Sequence, residues 1–334
     1  PPGKLPHDEL RRLLSRFTRG HERLVVPPQV GEDAAVIDMG DRLLVAKTDP
    51  ITFATDRIGW YAVHVNANDI AAMGAQPRFF MATVMLPDVE GNGAMAEAIF
   101  AAIDAAAGDL DIVVCGGHTE ITHGLDRPLV VGQMLGEMEP DKLIRSSGLR
   151  PDHHLILTKG LAIEATALIA REKRDDLRTR GYGEELLGTC EAYLENPGIS
   201  VVADAQLATS AGTVSAMHDP TEGGVATGLI ELAQASDVGM EIDAHALFVA
   251  KESRRLCGEY DLDPLGVISS GALIIGCESD STAAILKALQ EAGIRADLIG
   301  VVREQEFGVM LKRSGELQEM PVFAADEITR LFMD

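Results

Sequence analysis

The sequence predicts an α/β (α+β) protein built as two domains in tandem. Three observations carry this. Short apolar runs of strand character alternate with longer segments at helical spacing through both halves of the chain. A length of 334 residues with 46% hydrophobic content is ample for two cores, and 4% aromatic content leaves those cores to Ala, Val, Leu, Ile and Met. Between the halves, Arg145–Pro151 breaks the pattern with Ser146-Ser147-Gly148 and a proline. The expected organisation is an N-terminal segment over 1–30, a first domain over 31–148 and a second over 152–334.

In order, the Pro- and Gly-rich start gives way to a short helix carrying Leu10, Leu13, Leu14 and Phe17, closed by Pro27-Pro28. Ala34–Ile37 and Leu43–Ala46 read as strands around a turn at Met39-Gly40-Asp41. The second of these is expected to stop at a Lys47-Thr48-Asp49 corner. Ile58–Met73 reads as a helix ending at Gly74. Phe79–Met85, bounded by Pro77 and Pro87, is a buried strand. Ala94–Ala107 is an Ala-rich helix stopped by Gly108, and Ile112–Cys115 is a strand leading into a glycine-rich loop at Gly116-Gly117. Leu129–Leu135 is another strand. Strands this apolar require cover on both faces.

The second half starts with a strand at Leu155–Thr158 and a helix at Ala162–Ala170. Arg171–Arg180 is a charge run, read as a solvated face or loop. Val201–Ser210 is helical. Val214–Met217 is a strand ending at His218-Asp219-Pro220, and Gly223–Ala235 is a helix with Leu229, Ile230 and Ala233 at helical spacing. Val238–Ile242, Gly271–Gly276 and Ala296–Val302 read as strands, with a helix at Thr282–Ala292 between the last two.

Charge narrows the function. Against 29 basic residues stand 52 acidic ones, a net of −23. Nucleic acid and anionic lipid both need a basic face, so neither is an expected partner. A phosphate ligand stays open, because bound Mg²⁺ reverses the local sign. Cys115, Cys190, Cys257 and Cys277 show no zinc or disulfide spacing and are expected as buried, reduced thiols. No run reaches the roughly 18 apolar residues of a membrane span. Pro1 to Arg12 lacks the apolar core of a signal peptide, so the expected location is cytoplasmic.

The chemistry gathers at corners. Asn68-Asp69 lies in an otherwise apolar helix, where an acid needs a partner and a metal is a good one. Gly116-Gly117 lets backbone N–H groups approach an anion closely. The Gly-rich turn from His218 to Gly224 opens a helix and offers another anion site. Several carboxylates beside such turns suit a Mg²⁺-bridged polyphosphate, because Mg²⁺ is held by a few carboxylates plus substrate phosphates. Taken singly, each motif also fits an ordinary turn or helix cap; the joint set is the signal.

Gly31-Glu32-Asp33-Ala34-Ala35, Thr48-Asp49, Asn68-Asp69-Ile70-Ala71-Ala72-Met73-Gly74-Ala75-Gln76-Pro77, Gly116-Gly117-His118-Thr119 and His218-Asp219-Pro220-Thr221-Glu222-Gly223-Gly224 occur in this order. The order resembles the aminoimidazole ribonucleotide (AIR) synthase superfamily. Within it the chain looks most like the hydrogenase-maturation HypE branch, including the Gly3-Lys4-Leu5-Pro6 start. The resemblance implies a homodimer whose N-terminal mixed sheets join into a barrel, plus a C-terminal α/β domain. It implies ATP and Mg²⁺ as cofactors. Asp33, Asp49, Asp69 and Asp219 are then metal ligands or water-mediated metal partners. Lys47, Thr48, Asp49, Asn68 and Gly116, Gly117, His118, Thr119 line the nucleotide, and Asp69, His118 and Asp219 lie nearest the chemistry. The shared reaction transfers a phosphoryl group from ATP to an oxygen of a small molecule or peptide, often an amide or carbonyl oxygen. The HypE branch uses it to convert a thiocarboxamide on its own C-terminal cysteine to a thiocyanate.

Three positions depart from that pattern. Phe332 stands where the terminal cysteine is expected. Ser269-Ser270-Gly271 replaces an Asn-Glu-Gly or Ser-Glu-Gly, which removes a candidate general base. Glu222 stands where an arginine is common. The reading is therefore ATP- and Mg²⁺-dependent phosphorylation of an amide, carbonyl or phosphate oxygen. The alternatives are a thiamine-monophosphate-kinase-like phosphotransferase and a non-catalytic nucleotide-binding maturation partner. The tail from Ala324 to Phe332 is expected as a short helix with Ile328, Leu331 and Phe332 on one face.

Overall fold

In a computed structural model of the chain, residues 5, 7–28, 32–51 and 56–332 are described. Gly31 of the first corner, Gly3, Lys4 and Pro6 of the N-terminal motif, and Met333 and Asp334 of the tail lie outside them. The chain divides into two compact units. One comprises Thr18–Pro28 and Asp33–Leu143; the other comprises Pro1–Phe17, Gln29–Glu32 and Ile144–Asp334. The chain enters through α1 (His7–Phe17), which groups with the second unit.

The first unit holds β1 (Leu24–Val26), β2 (Ala35–Asp38), β3 (Leu43–Ile51), α2 (Ile58–Ala72), β4 (Gln76–Pro87), α3 (Asn92–Asp109), β5 (Val113–Thr122) and β6 (Leu129–Met138). Its six-stranded sheet runs β1-β2-β3-β6-β4-β5. All pairs are antiparallel except β4–β5, which α3 connects as a crossover. Helix α2 packs against β3, β6 and α3. Every α2 residue except Val65 is buried, as expected of a helix apolar on all sides. Glycines set the close approach. A Cβ at Gly136 of β6 would meet Ile70 Cγ2 at 2.2 Å, and one at Gly59 of α2 would meet the Ile99 carbonyl oxygen at 2.4 Å.

Three local expectations in this unit are corrected. Strand β3 does not stop at Lys47-Thr48-Asp49 but continues to Ile51, because its ladder with β6 runs on through Asp49↔Gly132 and Ile51↔Val130. The β2 ladder ends at Ala46, so Pro50 lies where one side of β3 is open, a place where strands tolerate proline. Helix α3 passes through Gly108 to Asp109; a Cβ there would meet nothing within 4 Å, so the glycine faces open space rather than ending the helix. Gly116-Gly117 is not a loop. Both lie inside β5, parallel to β4, next to a register shift at Phe80/Met81. Gly117 has φ +153°, and a Cβ there would meet the Ala82 carbonyl oxygen at 2.2 Å. Close backbone approach at this irregularity demands the glycine.

The second unit contains β7 (His154–Thr158), α4 (Ile163–Glu172), α5 (Arg174–Thr179), α6 (Glu184–Glu191), α7 (Val202–Ala211), β8 (Val214–His218), α8 (Gly224–Ser236), β9 (Gly239–Asp243), α9 (Lys251–Glu259), β10 (Ile274–Cys277), α10 (Thr282–Glu291), β11 (Ala296–Arg303), β12 (Val309–Arg313) and β13 (Glu316–Glu319). Its seven-stranded sheet runs β13-β12-β9-β11-β7-β10-β8, antiparallel except for β9–β12. Leu155, Leu157, Ile169, Leu229, Met240, Ile274 and Ile299 are among the side chains of one continuous core. The charge run forms a solvated helix face rather than a loop: α5 forms there with Asp175, Asp176 and Arg178 exposed, and Arg178 bonds to both Asp175 and Glu184. The strand expected from Gly271 begins only at Ile274, because Gly271 sits at φ +106° in a turn.

The tail folds back on this unit. Residues Glu327–Phe332 form a 3₁₀ helix with Ile328 and Leu331 in the core. Phe332 departs from the expected face and is 49% exposed, its ring under the Lys173 ammonium. No helix among the described residues is long and apolar enough to cross a membrane.

Candidate functional site

In the first unit the sheet and α2 bring three of the expected residues together. Lys47 projects from β3, and its Nζ lies 3.3 Å from Asp49 Oδ2 and 3.3 Å from Asp69 Oδ1. Asp49 is two residues further along the same strand, so both side chains share one face of the sheet. Asp69 comes from α2, packed across that face, and its side chain is 8% exposed. Two carboxylates and one ammonium leave a local charge of −1. All the donors are hard oxygens, the chemistry that suits Mg²⁺.

The corner is braced from behind. Asn66, which sequence reading passed over, accepts from the Asp49 N–H through Oδ1 at 2.9 Å. Its amide donates to the Ala62 carbonyl at 2.8 Å. The Thr48 hydroxyl donates to the Gly132 carbonyl at 2.9 Å, so Thr48 is tied to β6. Gly132 is required here, because a Cβ would lie 2.4 Å from Asn66 Nδ2. The available signal was a third polar residue, Asn66, at two-residue spacing from Asn68 in an apolar helix. Asn68 and Asp33 are both buried in this unit.

The other expected phosphate contacts sit elsewhere in the same unit. Gly116, Gly117, His118 and Thr119 lie on the edge strand β5 and are exposed. His118 Nε2 donates to Glu120 Oε2 at 3.0 Å, and that bond holds the Glu120 carboxyl below its usual range, aided by Thr122. Cys115 on this strand is exposed, contrary to the expectation of four buried thiols; the edge position leaves it uncovered. The other three are buried, and burial pushes Cys190 and Cys257 up to about 12.

In the second unit, β8 delivers His218 and Asp219 to the turn before α8. Asp219 is buried, and His218 Nε2 donates to Glu231 Oε2 at 3.2 Å, one helix face away. The Gly-rich turn is already filled by a carboxylate of the chain itself. Asp326 Oδ2 accepts from the Gly223 N–H at 2.7 Å, and its Oδ1 accepts from Ile268 at 3.2 Å and Ile328 at 2.8 Å. Burial pushes Asp326 up to about 6 despite these bonds, which favour the charged form.

A second overlooked carboxyl lies beside it. Glu164 in the first turn of α4 is buried, and Ser270 hydrogen-bonds to it. Its Oε2 is buried with no hydrogen-bond partner. Burial pushes this carboxyl up to about 7; the Ser270 bond opposes the rise, and Glu222 and Asp326 add to it. The signal was an acid among the apolar residues of the Ala162–Ala170 helix.

Known proteins match both units. Residues 31–138 match the family AIR synthase related protein, N-terminal domain, and residues 150–312 match AIR synthase related protein, C-terminal domain. Carbamoyl dehydratase HypE of Rhizobium leguminosarum is 28% identical over 298 residues, covering 86% of this chain and 81% of that protein. The fold is shared with the hydrogenase maturation protein HypE in complex with ATP, at a TM-score of 0.72, 20% identity and coverage of 95% and 91% of the two chains. It is shared equally with AaThiL complexed with AMPPCP and TMP, at a TM-score of 0.72, 20% identity and coverage of 95% and 94%.

Proposed function

The chain belongs to the AIR synthase related family, and from that premise we propose that it binds ATP with Mg²⁺ and transfers the γ-phosphoryl group to an amide, carbonyl or phosphate oxygen of a small molecule or peptide. The observation that carries this is the Lys47–Asp49–Asp69 corner. Phosphoryl transfer asks little covalent chemistry of a protein and depends on positioning and on charge neutralisation. Asp49 and Asp69 would hold the metal, with Asp33 of the same unit as a further carboxylate for metal or bound water; Asp219 is proposed as a metal-facing carboxylate of the second unit. When bound, Mg²⁺ supplies charge neutralisation and orientation of the phosphates. Lys47, freed from the carboxylates it now bridges, is placed to meet a phosphate oxygen as a point charge. Gly116, Gly117, His118 and Thr119 keep their proposed phosphate role, now as an exposed strand rather than a loop. Two relatives support the nucleotide, one solved with ATP and one with AMPPCP.

Phe332 is not the acceptor. Phe332 offers a hydrocarbon ring, and a carbamoyl group needs a nucleophile. The tail is also held down by Asp326, Ile328 and Leu331. A phosphotransferase acting on a phosphate monoester is the second reading, favoured by the equal structural match to AaThiL with TMP.

The homodimer is part of the proposal. Edge strand β5 exposes Val113, Val114 and Ile121, at 57%, 42% and 56%, which is an unblunted template for a second copy. The deciding experiment is single-turnover ADP formation from Mg·ATP with a panel of amides and phosphate esters. An acceptor that stimulates turnover supports the enzyme. ATP binding with no ADP in any arm supports a non-catalytic nucleotide-binding partner instead.

A further inference from the structure

A cavity of about 610 Å³ lies in the second unit, and every residue lining it belongs to that unit. Its size is that of a small-molecule pocket, roughly 300–1,000 Å³. The turn after β7 gathers its walls. Lys159 and Ala162 take left-handed φ angles of +58° and +61°, which residues with a side chain adopt only where the surroundings enforce them. Two backbone bonds do so: the Lys159 N–H donates to the Arg295 carbonyl at 2.7 Å, and the Leu161 N–H to the Phe248 carbonyl at 2.9 Å. Gly160 lies between them, where a Cβ would be 2.6 Å from the same Phe248 oxygen. The strained turn thus sets Lys159, Phe248 and Arg295, far apart in sequence, around one cavity. The Arg295 guanidinium carbon lies 3.7 Å from the Phe248 ring centroid. Its Nε and Nη2 donate to Asp297 at 2.8 and 3.3 Å, which leaves Nη1 unspent among the described residues. Lys159 Nζ donates to the Ser200 carbonyl and lies 3.1 Å from Asp204 Oδ2, so one of its three donors is also unspent. The Tyr193 hydroxyl is committed to Glu252 Oε2 at 2.9 Å. The cavity is open to solvent: the lining side chains of Arg295 and Lys251 are 51% and 91% exposed.

We propose that this cavity binds a small organic monocarboxylate, its carboxylate drawn to Arg295 and Lys159 and its hydrocarbon body lying against Leu161, Ile163, Phe248 and Ile294. Two unspent donors on cations call for an oxyanion, because charge-assisted bonds to a carboxylate are the strong ones. Their present ion pairs and the Phe248 ring hold both cations in place before a ligand arrives, which lowers the ordering cost of binding. The apolar walls call for a body of one or two rings or a branched chain. A single negative charge suits the site better than two. The lining sets Lys159, Lys251 and Arg295 against Glu252, and Asp204 and Asp297 behind the cations bring that sum to zero. A second charge on the ligand would meet these three carboxylates with no cation left over. The inference does not rest on phosphoryl transfer and involves no reaction.

The test titrates the full chain at about pH 8 with three probes of one shape, followed by ligand-observed NMR: 1-naphthylacetate, the neutral 1-naphthylacetamide and the dianionic 1-naphthyl phosphate. The acetate is expected to bind with a Kd below about 1 mM, and the amide and the phosphate each at least about tenfold more weakly. Arg295→Gln is expected to lose at least about tenfold in affinity for the acetate and to leave the amide unchanged, a split that a purely structural role would not produce. Ala250→Trp fills the cavity from its wall without touching either ion pair and is expected to abolish binding of the acetate. Thermal melts identify any variant that fails to fold, and the ranking of the three probes on wild type then decides. The proposal is overturned if the acetate does not bind at millimolar concentration, if the amide or the phosphate binds as tightly, or if either folded variant keeps wild-type affinity for the acetate. None of these outcomes bears on the nucleotide, so the phosphoryl-transfer reading stands or falls separately.

Discussion

Chelation of Mg²⁺ is expected to abolish most of the ATP affinity, and Asp69→Asn to remove much of the remainder that Mg²⁺ confers. Lys47 lies 3.3 Å from Asp49 and 3.3 Å from Asp69, and these three groups sum to a charge of −1. A phosphate charge about 5 Å away, at an effective dielectric of about 20, is repelled by roughly 3 kcal/mol, or about 100-fold in affinity. Bound Mg²⁺ changes the corner from −1 to +1 and reverses that sign. The surrounding chain, at −23, does nothing to offset the repulsion in its absence. Replacing Asp69 removes one charged oxygen donor from a side chain that is only 8% exposed, where water replaces it poorly. The expected loss with Mg²⁺ present is about 10- to 100-fold, or roughly 1.4 to 2.8 kcal/mol. Asp49→Asn acts in the same direction. Isothermal titration calorimetry in Mg²⁺ and in EDTA measures both effects. Equal ATP affinities in the two buffers, or wild-type affinity for Mg·ATP in Asp69→Asn, would refute the assignment of this corner.

Other outcomes follow from the same structure. Gly132→Ala drives a methyl into Asn66 and the Ala62 carbonyl, so it should cost about 1 to 3 kcal/mol in urea melts and also weaken Mg·ATP binding; a neutral result would detach Asn66 from the site. Glu164 holds a proton in the folded chain between its ordinary 4.5 and about 7 that the unfolded chain has released, so its stabilising contribution is full below that window and lost as pH rises through it. At about 1.4 kcal/mol per pH unit this amounts to roughly 3 kcal/mol, and Glu164→Gln should flatten the stability profile across the window; an unchanged slope counts against a raised carboxyl. Val114→Lys together with Ile121→Lys should give a monomer by light scattering, whereas a monomeric wild type at micromolar concentration would remove the dimer proposal. Intact-mass spectrometry after incubation with ATP and a carbamoyl donor should show no adduct on the tail; a gain matching a carbamoyl or cyano group there would overturn the reading of Phe332.

The sequence by itself determined the two-domain α/β fold and its family. Alternating apolar runs and helical spacing are local properties, and the acid- and glycine-bearing corners keep their chain order whatever the packing. It also marked Asp69, because an acid inside an apolar helix has to be satisfied wherever that helix is buried. The structure alone decided what the corners are. Lys47-Thr48-Asp49 and Gly116-Gly117 read as loops because lysine, aspartate, proline and paired glycines punctuate local structure. A long ladder with β6 carries the first as strand, and parallel pairing with β4 carries the second. Such pairings join residues far apart in sequence, and no local preference reports them. The same holds for charge. Asn66 behind Asp49, Asp326 in the turn before α8 and Glu164 against Ser270 look unremarkable one at a time. Each acquires its role only when folding removes it from water and sets a distant donor or a second carboxylate beside it, because desolvation and hydrogen bonding belong to the three-dimensional neighbourhood rather than to the residue.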